Sequence, residues 1–298
     1  MSLSTRLEQA DGATMAKPAL IIGCGYLGER VGRAWLGMGR SVHVLTRGRA
    51  KIVKSQGFEP ITGDVLNPES LRALPAAATV LYAVGLDRSA GRSMRDVYVD
   101  GLRNILTALP LGGRFIYISS TSVYGQTDGS MVSETSVTEP LEENGRIVLD
   151  AERTLREFRP DATILRFAGI YGPGRVLRRQ PLLKGEPYIG DAEKWLNLIH
   201  VDDGVRAVLT AERTAASAGG TFNIADDHPV SRREFYSELA RLLGAPPAKF
   251  ELAPEPIREA NRRISNAAAR EHLGFVPAFP NFRDGTRHAM VNLGNAVG

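Results

Sequence analysis

The stretch that decides the fold is Ala19-Leu20-Ile21-Ile22-Gly23-Cys24-Gly25-Tyr26-Leu27-Gly28. Its apolar run ends at a glycine, which is typical of a short buried strand. The residues that follow have the pattern Gly-x-Gly-x-x-Gly, and a helix is predicted from Gly28 to Met38. Between a strand and a helix this pattern predicts a dinucleotide site, because the glycines permit a tight turn, approach of a pyrophosphate and close helix packing.

Strand and helix patterns alternate over the first part of the chain. Apolar runs predict further strands, and amphipathic spacing predicts helices between them. The predicted strands cover 41–45, 79–84, 114–118 and 162–166, and the predicted helices cover 97–109 and 150–158. This alternation indicates βαβ units with right-handed crossovers, so we expect an α/β fold with a Rossmann-type, doubly wound parallel sheet.

The pattern changes after Tyr171, where Gly172-Pro173-Gly174 interrupts it. Residues 172–197 are rich in loops, and strand and helix patterns return at 198–211, 222–225 and 231–243. Later prolines, at 246, 247, 254, 256, 277 and 280, predict short elements and turns in the remainder. The sequence therefore predicts a smaller C-terminal α+β lobe.

These patterns suggest a division of the chain. We expect residues 1–16 to form a mobile tail. The predicted dinucleotide-binding Rossmann domain comprises residues 17–171 plus about 198–222, and the predicted substrate lobe comprises 172–197 and 223–298. The lobe would thus be interleaved with the last part of the sheet.

The composition is that of an ordinary soluble globular protein. The 298 residues include 37 Lys and Arg and 33 Asp and Glu, which gives a formal charge of +4. The single cysteine, Cys24, excludes an internal disulfide framework and favours a reducing, cytoplasmic location. No apolar run approaches a membrane span of roughly 20 residues. The charges are interspersed and the histidines scattered, so we expect neither nucleic-acid binding nor a metal site.

The end of the second strand bears on the choice between NAD and NADP. An NAD site places a carboxylate about 20 residues after the glycines, where it bonds the ribose 2′-hydroxyl. Here Thr46 and Arg47 occupy that place. A guanidinium suits a 2′-phosphate, so we expect NADP rather than NAD, the alternative being that Arg47 is only a surface residue. Asp64 is expected to accept from the adenine amino group, to form a turn, or both.

Several stretches, in order, resemble the extended branch of the short-chain dehydrogenase/reductase superfamily, of the NAD(P)-dependent sugar epimerase/dehydratase type. The resemblance runs from about residue 18 to about 285 and is carried by the glycine loop, Gly63-Asp64, Ile118 to Gly125, Leu165-Arg166-Phe167, Tyr171 to Gly174, Ile199 to Asp203, Phe222 to Asp227, Arg263 to Asn266 and Leu273-Gly274-Phe275. It implies a Rossmann domain with a small C-terminal substrate lobe.

The glycine loop and the resemblance together predict the residues that contact the cofactor. They are Gly23, Cys24, Gly25, Tyr26, Leu27, Gly28, Thr46, Arg47, Asp64, Val65, Ala83, Val84, Gly85, Ile118, Gly169 and Ile170. Most of them follow the carboxyl ends of predicted strands, where open α/β sheets bind their ligands.

The family resemblance also implies chemistry by a Ser or Thr, a Tyr and a Lys. Ser120 matches the Ser or Thr, and we predict that Ser120 and Tyr124 are catalytic. The Tyr-x-x-x-Lys pair is missing, because alignment on 149–152 puts Asn144 and Val148 at its two positions. Neither of these side chains can exchange a proton near neutral pH. The chain therefore resembles an atypical member of the superfamily.

Another group would have to move the proton. Tyr98, Tyr124 and Tyr171 are candidates because each is expected near the cleft, and Tyr98 stands where the family usually has Asn. A tyrosine with no cation nearby has a pKa near ~10 and is a poor base at neutral pH. Arg146 is a candidate for the missing positive charge. Leu196 departs from the family in another way, since nucleotide-sugar enzymes usually place an Arg there.

Two functional hypotheses remain open. The first is an NADP-binding oxidoreductase or epimerase-like enzyme that acts on an unknown small polar substrate, with a sugar-related compound as one candidate. The alternative is a non-enzymatic NADP(H)-binding sensor or scaffold that has lost the catalytic Tyr and Lys. By analogy with the family we expect a monomer or a homodimer.

Overall fold

A computed structural model of the protein describes residues 17–254 and 259–294. The predicted tail at 1–16 lies outside the described residues. The strands are β1 (Ala19–Ile22), β2 (Val42–Thr46), β3 (Glu59–Thr62), β4 (Thr79–Tyr82), β5 (Arg114–Ser120), β6 (Met131–Val132), β7 (Thr163–Phe167), β8 (Gly169–Tyr171), β9 (Tyr188–Ile189), β10 (Trp195–Leu196), β11 (Leu198–His200), β12 (Thr221–Ile224), β13 (Val230–Ser231), β14 (Phe250–Glu251) and β15 (Arg263–Ile264).

The α-helices connect these strands and cover their faces. They are α1 (Tyr26–Gly37), α2 (Ala50–Ser55), α3 (Gly101–Ala108), α4 (Glu143–Phe158), α5 (Arg179–Leu183), α6 (Val201–Arg213), α7 (Arg232–Leu243) and α8 (Phe282–Gly294). Two segments, Asp96–Asp100 and Ala269–Leu273, are π-helical. No helix among the described residues is long and apolar enough to cross a bilayer.

Seven strands form one parallel sheet in the order β12-β7-β5-β4-β1-β2-β3. The chain moves outward from β1 in one direction through β2 and β3, and then returns to the other side of β1 with β4. The strand order therefore reverses between β1 and β4, which is where doubly wound sheets bind their ligands. The predicted Rossmann-type α/β fold is confirmed.

Burial on both faces of the sheet explains the uninterrupted apolar run in β1. Ala19 and Ile21 belong to one core cluster, together with α1 and α6, whereas Leu20 and Ile22 belong to a second cluster, together with α3 and α4. Side chains alternate between the faces of a strand, so a strand covered by helices on both faces is apolar at every position.

The C-terminal part of the chain has its own apolar cluster. Leu182 of α5, Phe235 and Leu239 of α7, and Phe282 of α8 pack together in it. Phe275, by contrast, packs in the cluster beneath α1 and α6. The division of the chain into domains stays a prediction.

Two details of the helix prediction were wrong. The prolines suggested only short elements near the C-terminus, but α8 runs from Phe282 to Gly294. It follows Pro280, and the Asn281 side chain accepts the backbone N–H of Arg283 at 3.0 Å, so the proline precedes the helix instead of interrupting it. Helix α4 begins at Glu143 rather than near 150. At Gly145 a Cβ would lie 2.4 Å from the Ser122 carbonyl oxygen, so glycine allows the helix to approach that loop.

Candidate functional site

A cleft of about 1130 Å³ lies at the carboxyl edge of the sheet. It is lined by residues that follow β1, β2, β3, β4, β5 and β7, and it contains Ser120. Every residue predicted to contact the cofactor also lines it, namely Gly23, Cys24, Gly25, Tyr26, Leu27, Gly28, Thr46, Arg47, Asp64, Val65, Ala83, Val84, Gly85, Ile118, Gly169 and Ile170. The structure thus brings these residues together, and their role in binding stays a prediction.

The three glycines of the loop have different surroundings. Gly23 has a φ of +99°, and a Cβ there would lie 2.4 Å from the Ala83 backbone. A Cβ on Gly28 would lie 2.3 Å from the Gly23 carbonyl oxygen. At Gly25 a Cβ would meet nothing within 4 Å. The first and third glycines are therefore required by the packing of the protein itself, whereas the second leaves room for a ligand.

The amino terminus of α1 is open to the cleft. Gly25 is its N-cap residue and makes no side-chain capping hydrogen bond. The first backbone N–H groups of a helix have no partner within the helix, and they attract anions. Burial, with a contribution from Glu29, raises the pKa of the neighbouring Cys24 thiol to about 11, so this cysteine is a neutral group at pH 7. These features fit the pyrophosphate of a dinucleotide.

The cleft is lined by more positive than negative side chains. Arg47 and Asp87 form an exposed ion pair at 3.1 Å. The Thr46 hydroxyl accepts the backbone N–H of Arg49 at 3.2 Å. Asp64 accepts the backbone N–H of Leu66 at 2.9 Å, so the turn role expected for this residue is present. The charged lining residues are Arg47, Arg49, Arg92 and Arg175 against Asp64 and Asp87, which favours an anionic ligand.

The cleft also contains Ser120 and one of the two positions of the missing pair. The Ser120 hydroxyl oxygen accepts the backbone N–H of Ser122 at 3.1 Å. Val148 lines the cleft, whereas Asn144 is exposed. Arg146 is also exposed and donates to the Leu141 carbonyl oxygen at 2.8 Å. The alignment thus placed Val148 where it would face a cofactor, and Arg146 is engaged with backbone.

Tyr124 does not line the cleft. Its side chain is fully buried, and its hydroxyl donates to Asn223 Oδ1 at 2.9 Å. The same oxygen accepts from Arg166 Nη1 at 2.9 Å. Burial raises the pKa of this phenol. Both hydrogen-bonding functions of Tyr124 are occupied inside the protein, so the structure gives it no access to a substrate in the cleft.

The group that holds Tyr124 is a buried ion pair that sequence reasoning missed. Arg166 Nη2 lies 2.7 Å from Glu152 Oε2, and Ser119 donates to Glu152 Oε1 at 2.6 Å. Burial lowers the pKa of Arg166, but the hydrogen bonds that it donates to the Glu152 carboxylate raise its pKa above the ordinary value. The available signal was a glutamate on the apolar side of α4 together with an arginine inside the otherwise apolar strand β7.

His200 has a structural position at the start of α6. Its Nδ1 accepts the backbone N–H of Asp202 at 3.2 Å, and its Nε2 lies 3.4 Å from His288 Nδ1. These three side chains bring ligand-type atoms within 4.8 Å of one another, although the sequence suggested no such cluster. Burial lowers the pKa of His200 to about 4. A neutral histidine whose Nδ1 caps a helix explains the arrangement without a metal ion.

The sequence was compared with models of protein families. The model of the NAD dependent epimerase/dehydratase family matches residues 19–225. The chain belongs to this family. The match begins with β1 and ends just after β12, so it covers all strands of the parallel sheet. It confirms the predicted resemblance to the NAD(P)-dependent epimerase/dehydratase type.

Two individual proteins are similar to this chain in sequence. Protein YeeZ of Escherichia coli (strain K12) is 35% identical over 170 residues, which cover 56% of this chain and 59% of that protein. The 3-diazoavenalumate denitrifying reductase of a Streptomyces species is 30% identical over 156 residues, covering 47% of this chain and 51% of the reductase. These matches thus span only about half to three-fifths of the relatives' own length.

A solved structure has the same fold over nearly the whole chain. The UDP-glucose 4-epimerase of Thermotoga maritima, solved with UDP-glucose, superposes with a TM-score of 0.79 at 19% identity. The superposition covers 94% of this chain and 100% of the epimerase. It therefore includes the C-terminal part as well as the parallel sheet.

Proposed function

We propose that the protein is an NADP(H)-dependent oxidoreductase that acts on a small polar substrate. The observation that carries the proposal is the single cleft that joins the glycine loop to Ser120 at the carboxyl edge of the sheet. The open space at Gly25 and the uncapped amino terminus of α1 would hold the pyrophosphate. When bound, the nicotinamide supplies hydride transfer to or from a carbon of the substrate.

The proposed preference for NADP rests on Arg47. It follows β2, where NAD sites place a carboxylate, and it is half exposed at the edge of the cleft. Its guanidinium could bind a 2′-phosphate with two parallel hydrogen bonds. Arg49, close in sequence, adds a second positive charge to the same end of the cleft.

Ser120 would orient the oxygen atom of the substrate. Its hydroxyl oxygen already accepts a backbone N–H, so its own hydrogen is available to another acceptor. Reductases and epimerases are both found among the relatives, so a sugar or another small carbonyl compound is the proposed class of substrate.

Calorimetric titration of the purified protein with NADPH, NADP⁺, NADH and NAD⁺ tests the cofactor assignment. We expect binding of NADP(H) with preference over NAD(H). Turnover of NADPH is then measured with a panel of aldehydes, ketones and nucleotide-linked ketosugars. Absence of binding by all four dinucleotides would contradict the proposal, and binding without turnover of any carbonyl compound would favour the sensor alternative.

A further inference from the structure

The positions at which the family has its catalytic tyrosine and lysine hold no proton donor in this protein. This inference rests on the proposed function. Reduction of a carbonyl group adds a hydride to carbon and a proton to oxygen. Asn144 and Val148 replace the family's tyrosine and lysine, and Asn144 is exposed while Val148 is an uncharged part of the cleft wall. A reductase built on this cleft must take the proton from another side chain.

The structure separates the three tyrosines that the sequence left as candidates. Tyr124 is 0% exposed and Tyr171 is 2% exposed, and neither lines the cleft. Tyr98 is half-buried and lines the cleft together with Ser120 and Val148. Tyr98 also packs against the apolar cluster that includes Val148, the vacated lysine position.

Other phenols of the cleft are committed or inaccessible. Tyr26 donates its hydroxyl hydrogen to the Pro173 carbonyl oxygen at 3.0 Å. Tyr82 is 2% exposed and directs its hydroxyl to the Val97 carbonyl oxygen at 3.5 Å. Tyr117 is 3% exposed, and burial raises its pKa well above the ordinary value. These three groups are therefore poor sources of a proton for a substrate.

The Tyr98 hydroxyl, unlike that of Tyr26, accepts a hydrogen bond from the backbone. Its oxygen accepts the backbone N–H of Leu86 at 3.2 Å. A hydroxyl that accepts an N–H keeps its own hydrogen for another acceptor, and the N–H stabilises the oxygen anion that remains when the proton leaves. Ser120 is in the same state through Ser122. Leu86 follows β4 and Ser120 is the last residue of the neighbouring strand β5, and both the Tyr98 and the Ser120 side chain line the same cleft.

The backbone that carries Tyr98 is itself unusual. Asp96–Asp100 is a π-helical segment directly before α3. Such segments occur often at functional sites, because the extra residue in the turn changes the direction of the side chains. Val97 and Val99 on either side of Tyr98 are buried, whereas Tyr98 reaches the cleft.

We propose that Tyr98 is the proton donor of a carbonyl reduction in this cleft, with Ser120 bonded to the same substrate oxygen. The carbonyl carbon gains a hydride from the reduced nicotinamide dinucleotide, and the π electron pair of the carbonyl moves to its oxygen. That oxygen takes the proton of Tyr98 and becomes the hydroxyl of the product. The phenolate, bonded to the Leu86 N–H, regains a proton from solvent, and the oxidised dinucleotide leaves.

This donor also favours catalysis of reduction over catalysis of oxidation at neutral pH. A phenol is protonated at neutral pH and can give a proton to a carbonyl oxygen, whereas removing a proton from an alcohol requires a phenolate. Val148 provides no positive charge to form one. The cleft is therefore suited to reduction of aldehydes and ketones, and it is poorly suited to epimerisation, which needs oxidation and reduction in turn.

The test compares wild-type protein with Tyr98→Phe, which keeps the ring and removes only the hydroxyl. Single-turnover oxidation of bound NADPH is measured with a panel of aldehydes and ketones, with 4-nitrobenzaldehyde as the standard probe, and NADPH affinity is measured by calorimetry. We expect the rate to fall by about 100-fold or more, because general acid catalysis contributes at least about that factor. We expect the NADPH dissociation constant to change less than about twofold.

Tyr236→Phe is the matched control. Tyr236 is a buried tyrosine of α7 that stacks on Tyr188 and does not line the cleft, so the same chemical change there should leave turnover unaltered. Wild-type turnover that Tyr98→Phe leaves unchanged would overturn the assignment of Tyr98 while the proposed function stands. Loss of NADPH binding in Tyr98→Phe would also overturn proton donation. A wild-type protein that reduces no member of the panel would overturn the proposed function and this inference together.

Discussion

The guanidinium of Arg47 lies 3.1 Å from the carboxylate of Asp87, so residues after β2 and β4 meet across one end of the cleft. Both side chains are about half exposed, and the pKa of Asp87 is lowered chiefly by the Ser89 hydroxyl. A 2′-phosphate bound by Arg47 would have to share it with Asp87 or displace the carboxylate. Removing Arg47 and removing the charge of Asp87 should therefore have opposite effects on NADPH affinity.

Arg47→Ala should weaken binding of NADPH about tenfold to a hundredfold and leave NADH binding almost unchanged, because only NADPH has the 2′-phosphate. Asp87→Asn should strengthen NADPH binding several-fold by removing the competing charge. Both effects should decrease as salt is added. Calorimetry with NADPH and NADH at two salt concentrations measures them, and equal losses for both dinucleotides in Arg47→Ala would contradict an NADP site.

The glycine loop provides a prediction that separates binding from folding. Gly25 has an ordinary extended φ of −97° and open space at the Cβ position, so Gly25→Ala should change the free energy of unfolding by less than about 1 kcal/mol. The added methyl group would occupy the space assigned to the pyrophosphate, and dinucleotide affinity should fall at least about tenfold. Denaturant titration and calorimetry on the same sample measure both quantities.

Gly28→Ala is the matched variant, and for it we expect a clear loss of stability. Its Cβ would lie 2.3 Å from the Gly23 carbonyl oxygen, so the loop and helix must move apart. We expect a loss of about 1–3 kcal/mol in the free energy of unfolding. Equal stability losses in Gly25→Ala and Gly28→Ala would show that the second glycine also serves the fold and would remove the argument for ligand space.

Replacing only one partner of the buried ion pair between Glu152 and Arg166 should destabilise the folded protein strongly. Arg166→Met leaves the Glu152 carboxylate buried without its partner, and we expect a loss of about 3–5 kcal/mol in the free energy of unfolding. The double variant Glu152→Gln/Arg166→Met should recover part of that loss. Chemical denaturation of the four proteins of this double-mutant cycle gives the coupling energy.

The neighbouring pair of Asp150 and Arg153 is the control for this cycle. It lies on the same helix α4 at 3.2 Å, but the Arg153 side chain is 67% exposed. Arg153→Met should therefore change the free energy of unfolding by about 1 kcal/mol or less. A comparable loss in Arg153→Met and Arg166→Met would mean that burial is not what makes the Glu152 pair important.

His200 should make the folded state less stable in mild acid. Its pKa is about 4 in the folded protein, mainly because of burial, against an ordinary value of 6.5. Between these values the unfolded chain binds a proton that the folded protein does not, so stability falls as pH falls through this interval, with a slope of at most about 1.4 kcal/mol per pH unit. Other groups titrate in the same interval, so the variant His200→Gln is the reference.

The measurement is the free energy of unfolding of wild type and His200→Gln from pH 7 to pH 4.5. The difference between the two proteins should shift in favour of the variant as pH falls. The exposed His272 offers a control, since His272→Gln should leave the wild-type profile unchanged. A constant difference between wild type and His200→Gln would show that His200 does not titrate in this way.

The sequence predicted the parts of the protein that depend on local pattern. The apolar run of β1 and the glycines after it, together with the alternating strand and helix patterns, predict the parallel sheet. They also predict one wall of the cleft, because the strand ends of a parallel sheet meet at one edge. The position of Tyr124 could not be predicted in this way. Its hydroxyl is taken by Asn223 and Arg166, which are far along the chain and meet it only after the strands have paired.

The same reason explains why Tyr98 stood undistinguished among three tyrosines. Nothing in its sequence neighbours specifies a π-helical turn or a hydrogen bond from Leu86. The Glu152 carboxylate is a similar case, since a charged residue on a helix is usually solvated and its partner Arg166 belongs to a strand. Contacts between side chains of distant segments decided each of these positions.

The last strand of the sheet comes late in the chain. After β7 the chain forms β8 to β11 with α5 and α6 before Thr221–Ile224 returns as β12 and pairs with β7. During synthesis the glycine loop and strands β1 to β5 therefore leave the ribosome well before β12, the strand that completes their sheet and covers the edge of β7. Until then the edge of β7 has unpaired backbone groups, and such an edge can pair with another nascent chain. The order of strands along the polypeptide thus sets a period in which the growing protein is prone to association.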